Sequence, residues 1–239
     1  MNDVRTIRLV IPMYNESEII EATMRACESW FCANAPDGAV YFVDDGSTDD
    51  TARKASALLG QCPHARLTGY EHNRGKGAAV RFGMLAAAGD ADGGDVIFFT
   101  DCDLAYGLDV MLDFMPLGGD VAIGSRALHP DGYRGYTALR RVMSKTYLAV
   151  IRVAAGFPYS DSQTGIKAFT PDAARKIFGV CEVDGFAFDL EVLMAARHMG
   201  MSVAQVPVRV INNRPSHVSV VRDTLRMLRT VRTLRRKYR

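Results

Sequence analysis

Short apolar, β-branched runs alternate along the chain with segments of helical composition. Ile7–Ile11, Val40–Val43, Arg66–Tyr70, Val96–Thr100 and Val121–Ile123 read as strands. Between them, Ser17–Phe31, Asp49–Leu59 and Lys76–Ala88 read as helices, the first opened by Asn15 or Ser17 and the second capped by Ser47. This rhythm predicts a Rossmann-like α/β fold, a largely parallel sheet with helices on both faces. The second half is less regular. Leu128–Tyr136 is a loop rich in Gly, Tyr and Pro, Thr137–Ala155 a helix, Tyr159–Gly165 a polar loop and Ile166–Phe169 a short strand. Pro171–Phe178 is a short helix with Pro in its first turn, Asp189–Met199 another helix and Val203–Val208 a strand. From Val218 the pattern turns amphipathic. Val221, Leu225, Leu228, Val231 and Leu234 form one stripe, set among Arg222, Arg226, Arg229, Arg232, Arg235, Arg236, Lys237 and Arg239. The expected organisation is one domain over residues 1–217 and a basic amphipathic helix over 218–239.

A length of 239 residues, 48% of them hydrophobic and 23% charged, suits one sizeable globular domain. The net charge of +2 hides an asymmetry: residues 218–239 hold eight basic residues and one acidic, the remainder 21 basic and 26 acidic. A mildly acidic body with a basic tail predicts a surface partner for the tail, not nucleic acid. The five cysteines are odd in number and lack CxxC spacing, so they read as reduced, mostly buried thiols. Neither they nor the five histidines show zinc spacing. No apolar stretch approaches the ~18–20 residues of a spanning helix, and Tyr147–Phe157 is broken by Arg152. The expectation is a cytoplasmic protein lying on, not crossing, a membrane. The tail stripe would either enter the headgroup region or pack on protein.

Three polar clusters follow predicted strands, at the sheet edge where ligands of such folds bind. In the first, Val43–Thr51, Asp44 and Asp45 leave an apolar strand, Gly46 permits a sharp turn and Ser/Thr/Asp residues cap a helix; a carboxylate there can accept the ring N–H of a pyrimidine or guanine base. In the second, Asp101-Cys102-Asp103, side chains i and i+2 of an extended segment point the same way. Both carboxylates then meet one Mg²⁺ or Mn²⁺, ions that take oxygen ligands and share them with phosphates, while Cys102 faces the core. In the third, Asn73–Gly77, glycines before a helix let backbone N–H groups approach an anion, with Lys76 adding charge. The spacing is not a Walker motif, and the first βα turn lacks GxGxxG, against a dinucleotide-binding enzyme.

Together with Val10–Glu16, the continuation of the third cluster to Gly83, and Leu104, these clusters resemble family-2 glycosyltransferases with a GT-A fold. Gly124-Ser125-Arg126, Arg140–Lys145, Asp161–Lys167 and Phe186–Glu191 narrow the likeness to polyprenyl-phosphate sugar transferases: dolichyl-phosphate glucosyltransferase and, more distantly, dolichyl-phosphate mannose synthase. The resemblance implies a metal-dependent, inverting transfer of a hexose from a nucleotide-sugar to a polyprenyl phosphate. It implies donor contacts from Pro12, Tyr14, Glu16, Asp44, Asp45, Lys76 and Asp101, Mg²⁺ or Mn²⁺ on Asp101 and Asp103, and an acceptor-phosphate seat at Arg126, Arg140 and Ser144. Lys76 favours UDP-glucose, with GDP-mannose open. Were the acceptor a soluble or glycan hydroxyl, Asp161 and Asp189 would be the candidate bases. His217 lies in a loop the resemblance places near the acceptor. Ala105 and Tyr106-Gly107-Leu108 depart from the family pattern. A non-catalytic sugar-nucleotide binder is disfavoured by the intact Asp101/Asp103 pair, and a nucleotidyltransferase by the absence of a Gly- and Arg-rich loop after the first strand.

Overall fold

The computed structural model describes residues 6–115, 117–134, 136, 146, 148–153, 155–212 and 230–238. Seven strands form one sheet in the order β3-β2-β1-β4-β6-β5-β7. They are β1 (Ile7–Met13), β2 (Ala39–Asp45), β3 (Ala65–Tyr70), β4 (Val96–Phe99), β5 (Val121–Ser125), β6 (Lys167–Phe169) and β7 (Val203–Pro207). Every pairing is parallel except those of β6, which runs antiparallel to both β4 and β5. The helices are α1 (Ile20–Asn34), α2 (Thr51–Leu58), α3 (Lys76–Gly89), α4 (Val110–Phe114), α5 (residues 148–153), α6 (Pro171–Val180), α7 (Phe188–His198) and α8 (residues 230–237). The mixed, mostly parallel sheet expected from the sequence is present, and α4 is an element the periodicity reading passed over.

Period-two alternation divides the strand residues between two cores. Leu9, Ile11, Phe42 and Phe98 join the core beneath α1, α2 and α4, whereas Val10, Val43, Phe99 and Ile123 join the one beneath α3, α6 and α7. Pro12 is tolerated inside a central strand because the ladder with β4 stops at Val10 opposite Phe99, so no acceptor awaits an N–H there. Thr170 caps α6, its Oγ1 accepting from the Ala173 N–H at 3.2 Å, and Pro171 fills the first helical position.

The chain builds β1, β2 and β3 outward on one side, then places β4 on the other side of β1. The strand order therefore reverses between β1 and β4, and a crevice opens there beyond the carboxyl ends of the strands. At the far end of the chain, Val231 and Leu234 of α8 are 2% and 3% exposed in the α3/α6/α7 core. The end of the tail stripe thus packs on protein; Val221, Leu225 and Leu228 lie outside the described residues. Among the described residues no helix is long and apolar enough to cross a membrane.

Candidate active site

The loops after β1 and β2 are tied to each other at the crevice. Asn15 adopts a positive φ of 54°, which an Asn tolerates better than most residues. Its Oδ1 accepts the Thr48 N–H at 2.8 Å, and its own N–H donates to Ser47 Oγ at 3.0 Å. The Glu16 N–H donates to Thr51 Oγ1 at 2.8 Å and that of Ser17 to Asp49 Oδ2 at 3.2 Å. Pro12 is buried, Glu16 half-buried and Tyr14 exposed on this rim.

Asp45 is the hub of the next loop. Its carboxylate, 3% exposed, accepts from Tyr70 Oη at 2.6 Å, Asn73 Nδ2 at 2.8 Å, and the Arg74 and Gly75 N–H groups at 2.9 Å each. The Gly77 and Ala78 N–H groups donate to the Asp184 carbonyl at 2.7 and 3.2 Å. This revises the reading of Asn73–Gly77 as an external anion cradle: the Arg74 and Gly75 N–H groups already hold an anion, the protein's own Asp45, and the Gly77 N–H holds a neutral backbone carbonyl. Gly46 makes the arrangement possible, because at φ +69° a Cβ would lie 2.6 Å from the Asn73 nitrogen. Asp44 is half-buried beside Asp45, its Oδ1 accepting the Ser47 N–H at 3.2 Å. Of the two aspartates, it keeps the greater access to the crevice.

At the end of β4, Asp101 and Asp103 are both partly exposed while Cys102, between them, is 3% exposed. The exposure alternates as expected, but the segment is a turn and not extended: the Leu104 N–H donates to the Asp101 carbonyl at 3.0 Å. Asp103 Oδ1 accepts the Ala105 N–H at 3.1 Å, and its carbonyl accepts from Asn212 Nδ2 at 3.0 Å. Lys76 Nζ forms an ion pair with Asp101 Oδ1. Burial works to lower the Lys76 pKa, but Asp101, Asp189 and Asp103 together raise it, so the ammonium is firmly charged. The Gly165 backbone packs so closely on Asp101 Oδ2 that no Cβ fits. The donor set here is oxygen-only, anionic and open to solvent on one side, which fits a hard divalent cation.

Behind this pair lie Lys167 and Asp189, 0% and 7% exposed and ion-paired to each other. Lys167 also donates to the Thr164 carbonyl at 2.8 Å and sits 5.3 Å above the Phe99 ring. Burial pushes the Asp189 carboxyl up, and the Lys167 and Lys76 charges pull it only part of the way back. Just after β5, Arg126 Nε and Nη2 donate to the two oxygens of Asp161 at 2.7 and 3.0 Å; Asp161 is 0% exposed. Burial opposes the Arg126 charge, but Tyr106 and Asp161 hold its pKa well above the usual arginine value. Neither candidate base is therefore placed for proton abstraction from a hydroxyl. Each is a counter-ion to a buried cation, and Asp161 is out of contact with solvent. Arg140, Ser144 and His217 lie outside the described residues.

The remaining face of Arg126 is aromatic: Nη1 donates to Tyr136 Oη at 3.4 Å, and the Tyr133 ring lies 5.8 Å from the guanidinium carbon. Tyr133 also lines a groove of about 520 Å³ with Ala127, Leu148, Val153, Phe157 and Arg152. Sequence reasoning named Lys167 only as the end of the Asp161–Lys167 motif, with no role, and passed over Tyr70 and Asp184 as site residues. A lysine inside an apolar strand, Ile166-Lys167-Ala168-Phe169, was a usable signal. Nothing local marked Asp184, which binds the α3 amino terminus through its carbonyl and Arg81 Nη2 through its carboxylate at 2.6 Å.

The model of the family described as glycosyl transferase family 2 matches residues 9–178. A dolichyl-phosphate beta-glucosyltransferase of Trichomonas vaginalis is 31% identical over 217 residues, covering 83% of this chain and 62% of the relative. One from Drosophila melanogaster is 32% identical over 220 residues, covering 85% and 66%. The chain thus spans about two thirds of these relatives' length. Among solved structures, glucosyl-3-phosphoglycerate synthase from Mycobacterium tuberculosis, in complex with Mn²⁺, UDP and glucosyl-3-phosphoglycerate, superposes with a TM-score of 0.66 at 25% identity. That match covers 98% of this chain and 80% of the other.

Proposed function

The chain belongs to glycosyl transferase family 2, and on that premise we propose that it transfers glucose from UDP-glucose to a polyprenyl phosphate with inversion at the sugar carbon, at a membrane surface. The observation that carries the acceptor assignment is the groove lined by Ala127, Leu148, Val153 and Phe157, which reaches Arg126 through Tyr133. A mostly apolar groove, lined also by Arg152 and with Arg126 behind Tyr133, suits an apolar chain with an anionic head. The names of the relatives support a glucosyl donor and a lipid phosphate, and the solved neighbour supports UDP.

In this reading the nucleotide lies in the β1/β4 crevice, with Asp44 on the base or ribose and Asp45 positioning the loop rather than touching the ligand. Pro12, Tyr14 and Glu16 form the rim. Asp103 and Asp101 hold Mg²⁺ or Mn²⁺, which supplies charge stabilisation for the departing diphosphate. Lys76 adds a permanent positive charge beside them. A phosphate nucleophile is already anionic near neutral pH (second pKa about 6), so the pairing of Asp161 and Asp189 with cations does not obstruct the reaction. Arg126, held rigid by Asp161, offers Nη1 to the acceptor; Arg140 and Ser144 complete the proposed seat.

The test is transfer from radiolabelled UDP-glucose to a short polyprenyl phosphate, with the corresponding polyprenol and 3-phosphoglycerate as parallel acceptors and GDP-mannose as second donor. Product on the lipid phosphate alone is expected. Product on 3-phosphoglycerate alone would replace the lipid reading with a soluble phosphorylated acceptor, a reading the solved neighbour favours.

A further inference from the structure

The opposite edge of the sheet, at the amino ends of β2 and β3, carries a second constellation that the chemistry above does not use. Glu28 and Cys32 lie one turn apart on α1 and share a face. His64, in the turn before β3, meets them: Nδ1 is 2.8 Å from Glu28 Oε1, and Cys32 Sγ donates to the same oxygen at 3.2 Å. The three ligand atoms lie within 4.8 Å of one another. The Glu28 and His64 side chains are only 14% and 12% exposed, whereas Cys32 is exposed.

We propose that Glu28, Cys32 and His64 form a zinc-binding site joining α1 to the turn before β3. The donor set of one thiolate, one imidazole and one carboxylate suits Zn²⁺, with water or an external ligand in the fourth position. The surroundings orient each ligand. His64 Nε2 stands 3.1 Å from the Pro36 carbonyl, so a proton there donates to that oxygen and leaves Nδ1 as the ligating nitrogen. This hydrogen bond to a backbone carbonyl is the usual outer support of a zinc-bound histidine. The ring packs against Phe31 with centroids 5.8 Å apart, and the His64 carbonyl accepts the Val40 N–H at 2.9 Å, so neither ring nor backbone is free to swing away. The other oxygen of Glu28 accepts the His64 N–H at 3.2 Å, which leaves Oε1 for the metal.

Tetrahedral ligands held about 2.0–2.3 Å from zinc stand roughly 3.3–3.8 Å apart. The separations of 2.8 and 3.2 Å from Glu28 Oε1 need to open by roughly half an ångström as the ion replaces the bridging protons, and Sγ and Nδ1, within 4.8 Å of each other, settle into the same range. Binding therefore releases the Cys32 thiol proton, together with any proton on Nδ1. Sequence spacing does not reveal the site, because the i, i+4 pair and the histidine are 36 residues apart.

Cobalt distinguishes this site from the crevice. The reduced full-length protein, held in excess Mg²⁺, is titrated with Co²⁺ and followed through the near-ultraviolet thiolate-to-cobalt charge-transfer band. One Co²⁺ per chain is expected, displaced by one Zn²⁺. Cys32→Ser should abolish the band, His64→Gln should weaken Co²⁺ at least tenfold, and Asp103→Asn should leave the band unchanged. Zn²⁺ should also raise the melting temperature of wild type but not of Cys32→Ser. A band that survives Cys32→Ser, or no band at saturating Co²⁺, overturns the proposal and leaves Glu28–His64 as an ion pair only.

Discussion

On the β1–β3 side of the crevice, the carboxylates of Asp45 and Asp49 are held by backbone N–H groups, hydroxyls and an amide. On the β5–β7 side, Asp161 and Asp189 are held chiefly by the side-chain cations Arg126 and Lys167. The first arrangement stabilises a loop in one shape and leaves a net negative charge. The second leaves no net charge, yet requires both partners to be buried together, and removing one leaves the other uncompensated in a low dielectric. Asp101 stands between the two regimes: Lys76 balances it, while Asp103 nearby is anchored by a backbone N–H. A loop held by backbone donors keeps its shape whatever the ligand's charge, as a nucleotide pocket needs. A buried ion pair fixes a guanidinium in place for an anionic acceptor.

The largest effect is expected at Asp103. Asp103→Asn removes one anionic metal ligand and should lower kcat/KM by about 10²–10³-fold with an unchanged melting curve. EDTA should likewise remove activity, and Mg²⁺ or Mn²⁺ restore it; full turnover in excess chelator would remove the metal from the scheme. Next comes a contrast in rescue. Arg126→Ala should cost about 3–5 kcal/mol of stability by stranding Asp161, and about 10- to 150-fold in transfer to lipid phosphate, with UDP binding little changed. Adding Asp161→Leu should return most of the stability and none of the transfer. Asp45→Ala should cost about 1–3 kcal/mol for each donor left unsatisfied and weaken UDP binding. No second side-chain exchange should rescue it, because the donors are backbone N–H groups that only proline removes, and Gly75 at φ 106° cannot become proline. Denaturant titrations of the four variants with UDP isotherms decide; a stable Arg126→Ala protein would break the distinction.

The same contrast explains how much was legible in the sequence. The β1–β4 half was readable because its interactions are local: an apolar strand, an aspartate and a glycine follow one another in Val43–Thr51, although the Ser47 read as the cap of α2 instead accepts the Asn15 N–H, and Asp49 takes the Thr51 N–H. What stayed hidden was the recipient of the Asn73–Gly77 amides, since a glycine-rich turn looks the same whether it holds a phosphate or a distant carboxylate. Asp161 and Asp189 were visible as polar residues in candidate motifs. Their partners lie 35 and 22 residues away, and only the fold shows that both are engaged by cations. For the tail, periodicity marked Val231 and Leu234 as one apolar stripe but was silent on what covers it; the α3/α6/α7 core does.

Glu191 sharpens the comparison because it combines both regimes. It is 0% exposed and accepts the Glu182 and Val183 N–H groups at 2.8 and 2.6 Å, as well as Lys237 Nζ at 3.0 Å and Tyr238 Oη at 3.1 Å from the tail. Lys237→Met should therefore cost less than Arg126→Ala, about 1–2 kcal/mol, because two backbone donors remain on the carboxylate. The loop it steadies leads directly to the Asp184 carbonyl that holds Gly77 and Ala78. The variant should accordingly raise the donor KM a few-fold at constant kcat. A change in kcat without one in KM would detach the tail from the donor loop.

The smallest effect belongs to Asp49, the backbone-held carboxylate nearest the surface. Its slight burial works to raise the pKa, but hydrogen bonds from Thr51 and Ser17 outweigh that and hold it at about 2. A carboxyl whose folded pKa is depressed contributes stability that is fully present above its ordinary pKa of about 3.9 and is lost as pH falls through the folded value. Wild type should thus be slightly more stable than Asp49→Asn at neutral pH, by under about 1 kcal/mol at so exposed a position. The gap should narrow below about pH 4 and close near pH 2. It should also survive added salt better than the Arg53–Asp50 ion pair on the same surface, because short hydrogen bonds from fixed N–H groups are screened less than an exposed charge pair. Melting temperatures of wild type, Asp49→Asn and Asp50→Asn, taken across that pH range at low and high salt, test both points. A salt-sensitive Asp49 contribution would place it with the cation-held carboxylates and dissolve the contrast there.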